Sequence, residues 1–194
     1  MEPASAHGES LGTVANLLTL ARLPLTVLVC GAIALGWDFV ALLGFVIAAL
    51  TDALDGYVAR ALGQTSALGR QLDPLVDKVL VCSTLIFLVP REGSGVAAWM
   101  VAAVVARELV VQAVRSLVEG QGQAFSARWA GKAKTLVQCL AIVAVLLCEH
   151  VGTSGVATLA RDVLLWSAIL LTLYSGGVYV RAALPMLRGS GVRP

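Results

Sequence analysis

Long apolar segments set the strongest limit on how this chain can fold. A helix that crosses a membrane needs about 20 mostly apolar residues. The sequence contains six such segments, separated by short polar, proline- or glycine-containing connections. They lie at Val14–Gly36, Phe39–Ala61, Leu72–Val89, Val96–Val118, Ala133–Cys148 and Val163–Tyr179. The sequence therefore predicts an all-α integral membrane protein with six transmembrane helices.

Composition agrees with a membrane protein and argues against other classes. Hydrophobic residues make up 58% of the chain and charged residues 13%, whereas soluble domains carry roughly a quarter charged residues. The net charge of +2 is too small to favour a nucleic acid as partner. Because the sequence shows no internal repeat and no segment with the composition of a second domain, we expect one membrane-embedded domain over residues 1–194. A polar lead-in at 1–13, not a signal peptide, and a basic tail at 188–194 flank it.

Basic residues are distributed unevenly among the connections. Only Arg91 and Arg161 fall on one side of the predicted membrane. The other side holds Arg60, Arg70, Lys78, Arg115, Arg128, Lys132, Lys134, Arg181, Arg188 and Arg193. Because cytoplasmic loops carry the excess of Lys and Arg, we predict a multi-pass protein of the cell membrane. Both termini and the connections at 60–72 and 119–132 would then be cytoplasmic.

Four of the six aspartates crowd into one 26-residue stretch. Asp52 and Asp55 are three residues apart, and Asp73 and Asp77 are four apart, so each pair shares one helix face. If the two helices are antiparallel neighbours, the pairs face each other. Four adjacent carboxylates cannot all stay ionised without counter-charge. They could share protons as a relay, or bind two divalent cations such as Mg²⁺ or Mn²⁺ as a clamp for phosphoryl chemistry.

Small and basic residues in the same stretch favour the metal interpretation. Gly56 and Ala59 would let a bulky ligand lie against the helix, although small residues also serve close helix packing in membranes. Arg60 could meet a phosphate, although a snorkelling anchor is the simpler role for a lone arginine. Gly69 closes the connection before the second aspartate pair.

The whole pattern resembles the signature of the CDP-alcohol phosphotransferase family. The matching string is Asp52-x2-Asp55-Gly56-x2-Ala59-Arg60-x8-Gly69-x3-Asp73-x3-Asp77. The resemblance implies six membrane helices, often in a homodimer, and a cytoplasm-facing site that binds two divalent metal ions, Mg²⁺ or Mn²⁺. It implies that a CDP-linked donor transfers its substituted phosphate to an alcohol and releases CMP. The implied metal ligands are Asp52, Asp55, Asp73 and Asp77, with Asp77 also the general base. The implied CDP-binding residues are Asp55, Gly56, Ala59, Arg60 and Gly69.

Further stretches resemble the phosphatidylglycerophosphate synthases within that family. They are ANLLTLARLPLTV at 15–27, LDPLVDKVLV at 72–81, VARELVVQAVR at 105–115 and GKAKTLVQ at 131–138. This resemblance implies CDP-diacylglycerol as donor and glycerol 3-phosphate as acceptor. The last apolar segment matches in hydropathy only.

Basic residues outside the signature fit a phosphorylated acceptor. Arg107 lies beside Glu108 inside the fourth apolar segment, where ionisable residues indicate function by default. With Arg115, Lys132 and Lys134, it could form a cage for the acceptor phosphate. The alternative is that these lysines and Arg115 are topology anchors and that Glu108 pairs with a neighbour. A further set could border the site or serve helix packing: Asn16, Thr19 and Arg22.

The sequence leaves other functions open. A cardiolipin synthase of the same family would use phosphatidylglycerol as acceptor, and a phosphatidylinositol-phosphate synthase would use inositol phosphate. A small ion or proton transporter would use the aspartates as a relay, but its carboxylates should lie near the bilayer midplane on broken helices. Here they lie beside a predicted cytoplasmic connection.

Overall fold

The fold is helical throughout the part of the chain that the structure describes. The computed structural model describes the backbone at residues 14–62, 67–120, 128–152 and 154–189. Side chains are described at 21–51, 76, 78–118, 131, 133–152 and 154–184. The helices are α1 (Val14–Ala34), α2 (Asp38–Leu62), α3 (Ala67–Leu88), α4 (Ala98–Gly120), α5 (Arg128–Val151) and α6 (Gly155–Gly189).

The predicted helices are confirmed, but α3, α5 and α6 are clearly longer than the apolar segments that predicted them. Helix α3 begins at Ala67 rather than Leu72. Helix α5 extends over Arg128–Val151 rather than Ala133–Cys148, and α6 over Gly155–Gly189 rather than Val163–Tyr179. Hydropathy marks only the apolar part of a helix. Polar flanks rich in Ala, Leu, Arg and Gln continue the helix because these residues have high helix propensity.

Membrane-spanning length is supported for part of the fold. Among the described residues, two helical segments are long and apolar enough to cross a membrane, Ala133–Val151 and Gly155–Leu184. Shorter apolar segments lie in the first three helices, at Ala21–Ala34, Asp38–Thr51 and Lys78–Leu88. The predicted number of helices, six, is thus confirmed. A length and composition sufficient to cross a membrane are found for α5 and α6.

The chain divides into two compact units, and α1 and α2 pack together in the first, Met1–Ser83. Val29 and Phe45 are fully buried there. A Cβ atom at Gly44 would lie 3.0 Å from Val29 Cγ2, so the glycine permits the close approach of the two helices.

A tight glycine turn joins α1 to α2. Gly36 has a φ of 73°, a conformation that costs glycine little because it has no Cβ. The Gly36 N–H donates to the Ile33 carbonyl at 3.1 Å, and the Trp37 N–H donates to the Ala32 carbonyl at 2.8 Å. This pair of bonds is the Schellman pattern that satisfies carbonyls at a helix end. It reverses the chain within three residues, Leu35 to Trp37.

In the second unit, Thr84–Pro194, α6 packs against both α4 and α5. The apolar core of this unit includes Val104 of α4 and Ile142 and Val145 of α5, which are all at most 1% exposed. Helix α6 therefore presents residues to two partner helices, and the site described below depends on that arrangement.

Ion pairs order the end of the second unit where α5 ends and α6 begins. Arg91 pairs with Glu149 at 2.9 Å. Arg161 is 6% exposed, pairs with Asp162 at 2.7 Å and donates to the Gly93 carbonyl. Both arginines on the predicted outer side thus have acceptors close by in the same unit.

Candidate active site

The predicted carboxylate signature is carried by two helices. Asp52 and Asp55 belong to α2, and Asp73 and Asp77 belong to α3. Because the backbone is helical at these positions, each pair is about one turn apart and shares a helix face. The side chains of all eight signature residues lie outside those that the structure describes, the others being Gly56, Ala59, Arg60 and Gly69.

The donor atoms of the signature can be matched to a metal by chemistry. Its candidate ligands are carboxylates, without a thiol or an imidazole. Hard oxygen donors suit Mg²⁺ and Mn²⁺, whereas Zn²⁺ sites are dominated by nitrogen and sulfur ligands. The residues present therefore fit a divalent ion that accompanies phosphate groups.

A buried charged cluster lies between α4 and α5 in the second unit. The side chains of Arg107, Glu108 and Lys134 are 8%, 6% and 6% exposed. Arg107 Nη1 donates to both Glu108 carboxylate oxygens, at 3.1 and 3.2 Å, and Lys134 Nζ donates to Glu108 Oε1. One carboxylate therefore serves two cations, and this trio carries one positive charge in excess.

Helix α6 holds the other side of the same arginine. Arg107 Nη2 donates to Ser175 Oγ at 3.0 Å, and the guanidinium carbon lies 5.5 Å from the centre of the Tyr179 ring. Arg107 Nε is buried, and no described residue accepts a hydrogen bond from it. The guanidinium is thus fixed from two helices, while its Nε has no acceptor in the part of the chain that the structure describes.

A second polar contact links α5 to α6 one turn away from the cluster. Gln138 Nε2 donates to Thr172 Oγ1 at 2.9 Å, and the Thr172 hydroxyl donates to the Ala168 carbonyl at 2.6 Å. The Ser175 hydroxyl in turn donates to the Thr172 carbonyl at 3.0 Å. Buried polar groups that are fully hydrogen-bonded rigidify their surroundings, so this contact limits sliding of α6 along α5.

The structure brings together some of the predicted acceptor residues. Arg107 and Lys134 share Glu108, as described above. Arg115 lies two turns beyond Glu108 on the same side of α4, about 10 Å along the helix axis. Lys132 lies on α5, and its side chain is outside the described set. An anchor for topology would extend to the membrane surface, whereas Lys134 is 5% exposed.

The residues proposed to border the site belong to α1 in the first unit. Arg22 is 2% exposed, and its carbonyl accepts a hydrogen bond from the Thr26 hydroxyl at 2.8 Å. The side chains of Asn16 and Thr19 are not among those described. Their role stays a prediction.

Sequence reasoning missed the contribution of α6. Ser175, Gly176 and Tyr179 all contact Arg107 or lie against it, yet the last segment was recognised by hydropathy alone. The available signal was a serine and a tyrosine four residues apart around two glycines, inside an otherwise apolar helix. Such spacing places the two polar groups on one helix face.

Comparison with known proteins gives consistent matches along the chain. The sequence model of the family described as CDP-alcohol phosphatidyltransferase matches residues 12–174. The chain is 39% identical over 135 residues to a CDP-diacylglycerol–glycerol-3-phosphate 3-phosphatidyltransferase of Bacillus subtilis, covering 70% of this chain and 68% of the relative.

Two relatives with the same name are matched over more of their length. The Pseudomonas fluorescens protein is 35% identical over 186 residues, covering 92% of this chain and 93% of the relative. The Escherichia coli K12 protein is 33% identical over 177 residues, covering 88% and 94%. The similarity therefore includes both compact units.

Proposed function

The chain belongs to the CDP-alcohol phosphatidyltransferase family, and we propose that it transfers the phosphatidyl group of CDP-diacylglycerol to glycerol 3-phosphate. The products are phosphatidylglycerophosphate and CMP, and the reaction is a step of phospholipid biosynthesis. The observation that carries the proposal is the similarity, along most of the chain, to several relatives named for this reaction. The unbroken aspartate signature supports the transfer from a CDP-linked donor, which the family shares.

In the proposed reaction, Asp77 accepts the proton from the 1-hydroxyl of glycerol 3-phosphate. The hydroxyl oxygen attacks the β-phosphorus of CDP-diacylglycerol and forms the new phosphodiester bond. The bond from that phosphorus to the bridging oxygen breaks, and CMP leaves with this oxygen and the bonding electron pair. A positioned base of this kind contributes typically 10²–10⁴-fold to a rate.

The metal ions proposed for this site would be held by Asp52, Asp55, Asp73 and Asp77. When bound, two divalent ions, Mg²⁺ or Mn²⁺, supply neutralisation of the charge on the pyrophosphate. The other signature residues have their own tasks. Gly56, Ala59 and Gly69 leave room for the CDP group, and Arg60 donates to its phosphates.

The acceptor phosphate is proposed to bind beside the buried cluster of α4 and α5. Glycerol 3-phosphate carries about two negative charges, and Arg107, Glu108 and Lys134 together carry one positive charge in excess. Arginine suits phosphate because its planar guanidinium donates in two directions. We propose that Arg115 and Lys132 complete the cage.

We further propose that all six helices span the cell membrane, with both termini and the active site on the cytoplasmic side. Large apolar side chains exposed on the helices, such as Leu109, Leu136 and Leu170, would then face lipid. We propose a homodimer, as the family resemblance implies. Donor lipid would enter from the membrane and glycerol 3-phosphate from the cytoplasm.

Release of CMP by the purified protein tests the proposal. With CDP-diacylglycerol and Mg²⁺ in detergent, we expect CMP release with glycerol 3-phosphate as acceptor. We expect none above background with inositol phosphate or phosphatidylglycerol, because these acceptors belong to other members of the family. CMP is quantified by chromatography.

Chelation provides the control for the metal. EDTA should abolish CMP release, and added Mg²⁺ or Mn²⁺ should restore it. Release with inositol phosphate or phosphatidylglycerol instead would refute the proposed acceptor and retain the donor chemistry. Absence of release with all three acceptors would refute the transferase proposal.

The Arg107→Ala variant tests the acceptor site. Loss of hydrogen bonds to a charged group costs about 1.5–3 kcal/mol, so we expect the KM for glycerol 3-phosphate to rise roughly 10- to 100-fold. The KM for CDP-diacylglycerol should stay within about threefold of its original value, since the donor binds the signature residues. Initial rates of CMP release, measured while each substrate is varied, give both constants.

An exposed arginine of α6 is the matched control. Arg181 is exposed, and Arg181→Ala should leave both KM values unchanged. If Arg107→Ala raises the two KM values equally, the arginine does not discriminate between substrates and its assignment to the acceptor is wrong.

A further inference from the structure

Helix α6 contacts Arg107 through three residues on one of its faces. Ser175 accepts a hydrogen bond from Nη2 at 3.0 Å, and the Tyr179 ring lies 5.5 Å from the guanidinium carbon. Between them, Gly176 faces the aliphatic part of the same side chain. Ser175 is 2% exposed and Tyr179 is 7% exposed, and Gly176 is buried as well. Water therefore has little access to this contact.

Gly176 provides the space in which the arginine lies. A Cβ atom built at Gly176 would be 2.9 Å from Arg107 Cγ, 3.7 Å from Nε and 3.9 Å from Cδ. The first distance is shorter than carbon atoms tolerate, so a methyl group there would force the arginine to move. The adjacent Gly177 is different, because a Cβ atom built there meets nothing within 4 Å.

We infer that Ser175, Gly176 and Tyr179 of α6 are positioning residues that set the direction of the Arg107 guanidinium toward the acceptor phosphate. Glu108 fixes Nη1 and Ser175 fixes Nη2, while the Tyr179 ring lies 5.5 Å from the guanidinium carbon. Nε is a buried donor that finds no acceptor among the described residues. Preorganised donors bind an anion more tightly because little side-chain entropy is lost on binding.

This inference rests on the proposed function, since it assigns to α6 the task of presenting Arg107 to glycerol 3-phosphate. It makes acceptor affinity depend on a helix that carries no signature residue. A small residue at 176 is therefore a requirement of acceptor binding rather than of membrane packing alone.

The Gly176→Ala variant tests the inference against Gly177→Ala as its matched control. Both changes add one methyl group to the same helix interior. Gly176→Ala should raise the KM for glycerol 3-phosphate by about tenfold or more, the scale of one lost charge-assisted contact. The KM for CDP-diacylglycerol should be unchanged, and Gly177→Ala should leave both values unchanged.

A double variant separates positioning from general packing. With Arg107→Ala in place, the added methyl has no side chain to displace, so Arg107→Ala with Gly176→Ala should match Arg107→Ala alone. Such non-additivity is the mark of two residues that act through one contact. If the effects of the two changes simply add, the methyl acts on packing and the inference is overturned.

Ser175→Ala keeps the inference testable if the Gly176→Ala protein does not fold. It deletes one hydrogen bond to Arg107 and adds no volume, and the KM for glycerol 3-phosphate should rise severalfold. If Gly176→Ala or Ser175→Ala folds and its KM for glycerol 3-phosphate is unchanged, the inference is overturned. The proposed function would still stand in that case, because it depends on the activity of the wild-type protein. No wild-type CMP release with glycerol 3-phosphate would refute the proposed function, and the inference with it.

Discussion

Asp77→Asn should lower the turnover number for CMP release by roughly a thousandfold or more, because asparagine cannot accept the hydroxyl proton. The change is nearly isosteric, so the thermal unfolding temperature should stay close to that of the wild type. The comparison is made on detergent-purified protein with saturating CDP-diacylglycerol and glycerol 3-phosphate. Retained turnover would exclude Asp77 as the base.

Asp77 has two proposed roles, and a metal titration distinguishes them. If the aspartate were a metal ligand only, excess Mg²⁺ should restore most of the lost turnover by mass action. If it is also the base, activity stays low at every Mg²⁺ concentration. Recovery at high Mg²⁺ would therefore contradict the assignment of the proton transfer to this residue.

A carboxylate outside the signature provides the matched control for Asp77→Asn. Asp162 lies near the start of α6, and its side chain is 45% exposed while it pairs with Arg161. Asp162→Asn changes the same atoms and should leave turnover near the wild-type value. A large loss in this variant would mean that amide substitution harms the protein in general.

The sequence was most informative where chemistry fixes residue type and spacing. The eight signature positions identified the family because their residue types and spacing match its signature without departure. The six helices followed from six long apolar segments, each of which is close to the length of a helix. Both predictions depend on patterns that are local in the chain.

Contacts between distant residues were harder to predict. Lys134 and Glu108 are 26 residues apart, and Arg107 and Ser175 are 68 apart, so no local period reveals either pair. Hydropathy also gave the wrong ends for α3, α5 and α6. The sequence indicated that Glu108 could pair with a neighbour, but the sharing of one carboxylate by two cations depends on how α4 and α5 pack.

Loss of the Glu108 charge is expected to have the largest effect on stability. In Glu108→Gln, Arg107 and Lys134 remain buried beside each other without the carboxylate that neutralises them. Removing one partner of a buried ion pair costs about 3–5 kcal/mol, which corresponds to a fall of about 10 °C in Tm for a chain of this length. Thermal unfolding in detergent measures the shift.

Glu149→Gln is the control for a carboxylate with a more accessible partner. Glu149 pairs with one cation, Arg91, whose side chain is 26% exposed. That arginine can reach water after the change, so the fall in Tm should be clearly smaller than for Glu108→Gln. Equal falls would mean that burial of the cations is not what makes Glu108 important.

A compensating substitution tests the cause directly. Glu108→Gln with Lys134→Met removes one charge of each sign, and the trio again carries one positive charge in excess. If repulsion between buried cations causes the loss, the double variant should be more stable than Glu108→Gln alone, although it makes fewer ion pairs. Additive destabilisation would instead show that the hydrogen bonds of Glu108 matter and its charge does not. A recovered Tm with a raised KM for glycerol 3-phosphate would separate the two roles of the cluster: the fold would need only an unchanged net charge, while acceptor binding would need Lys134 itself.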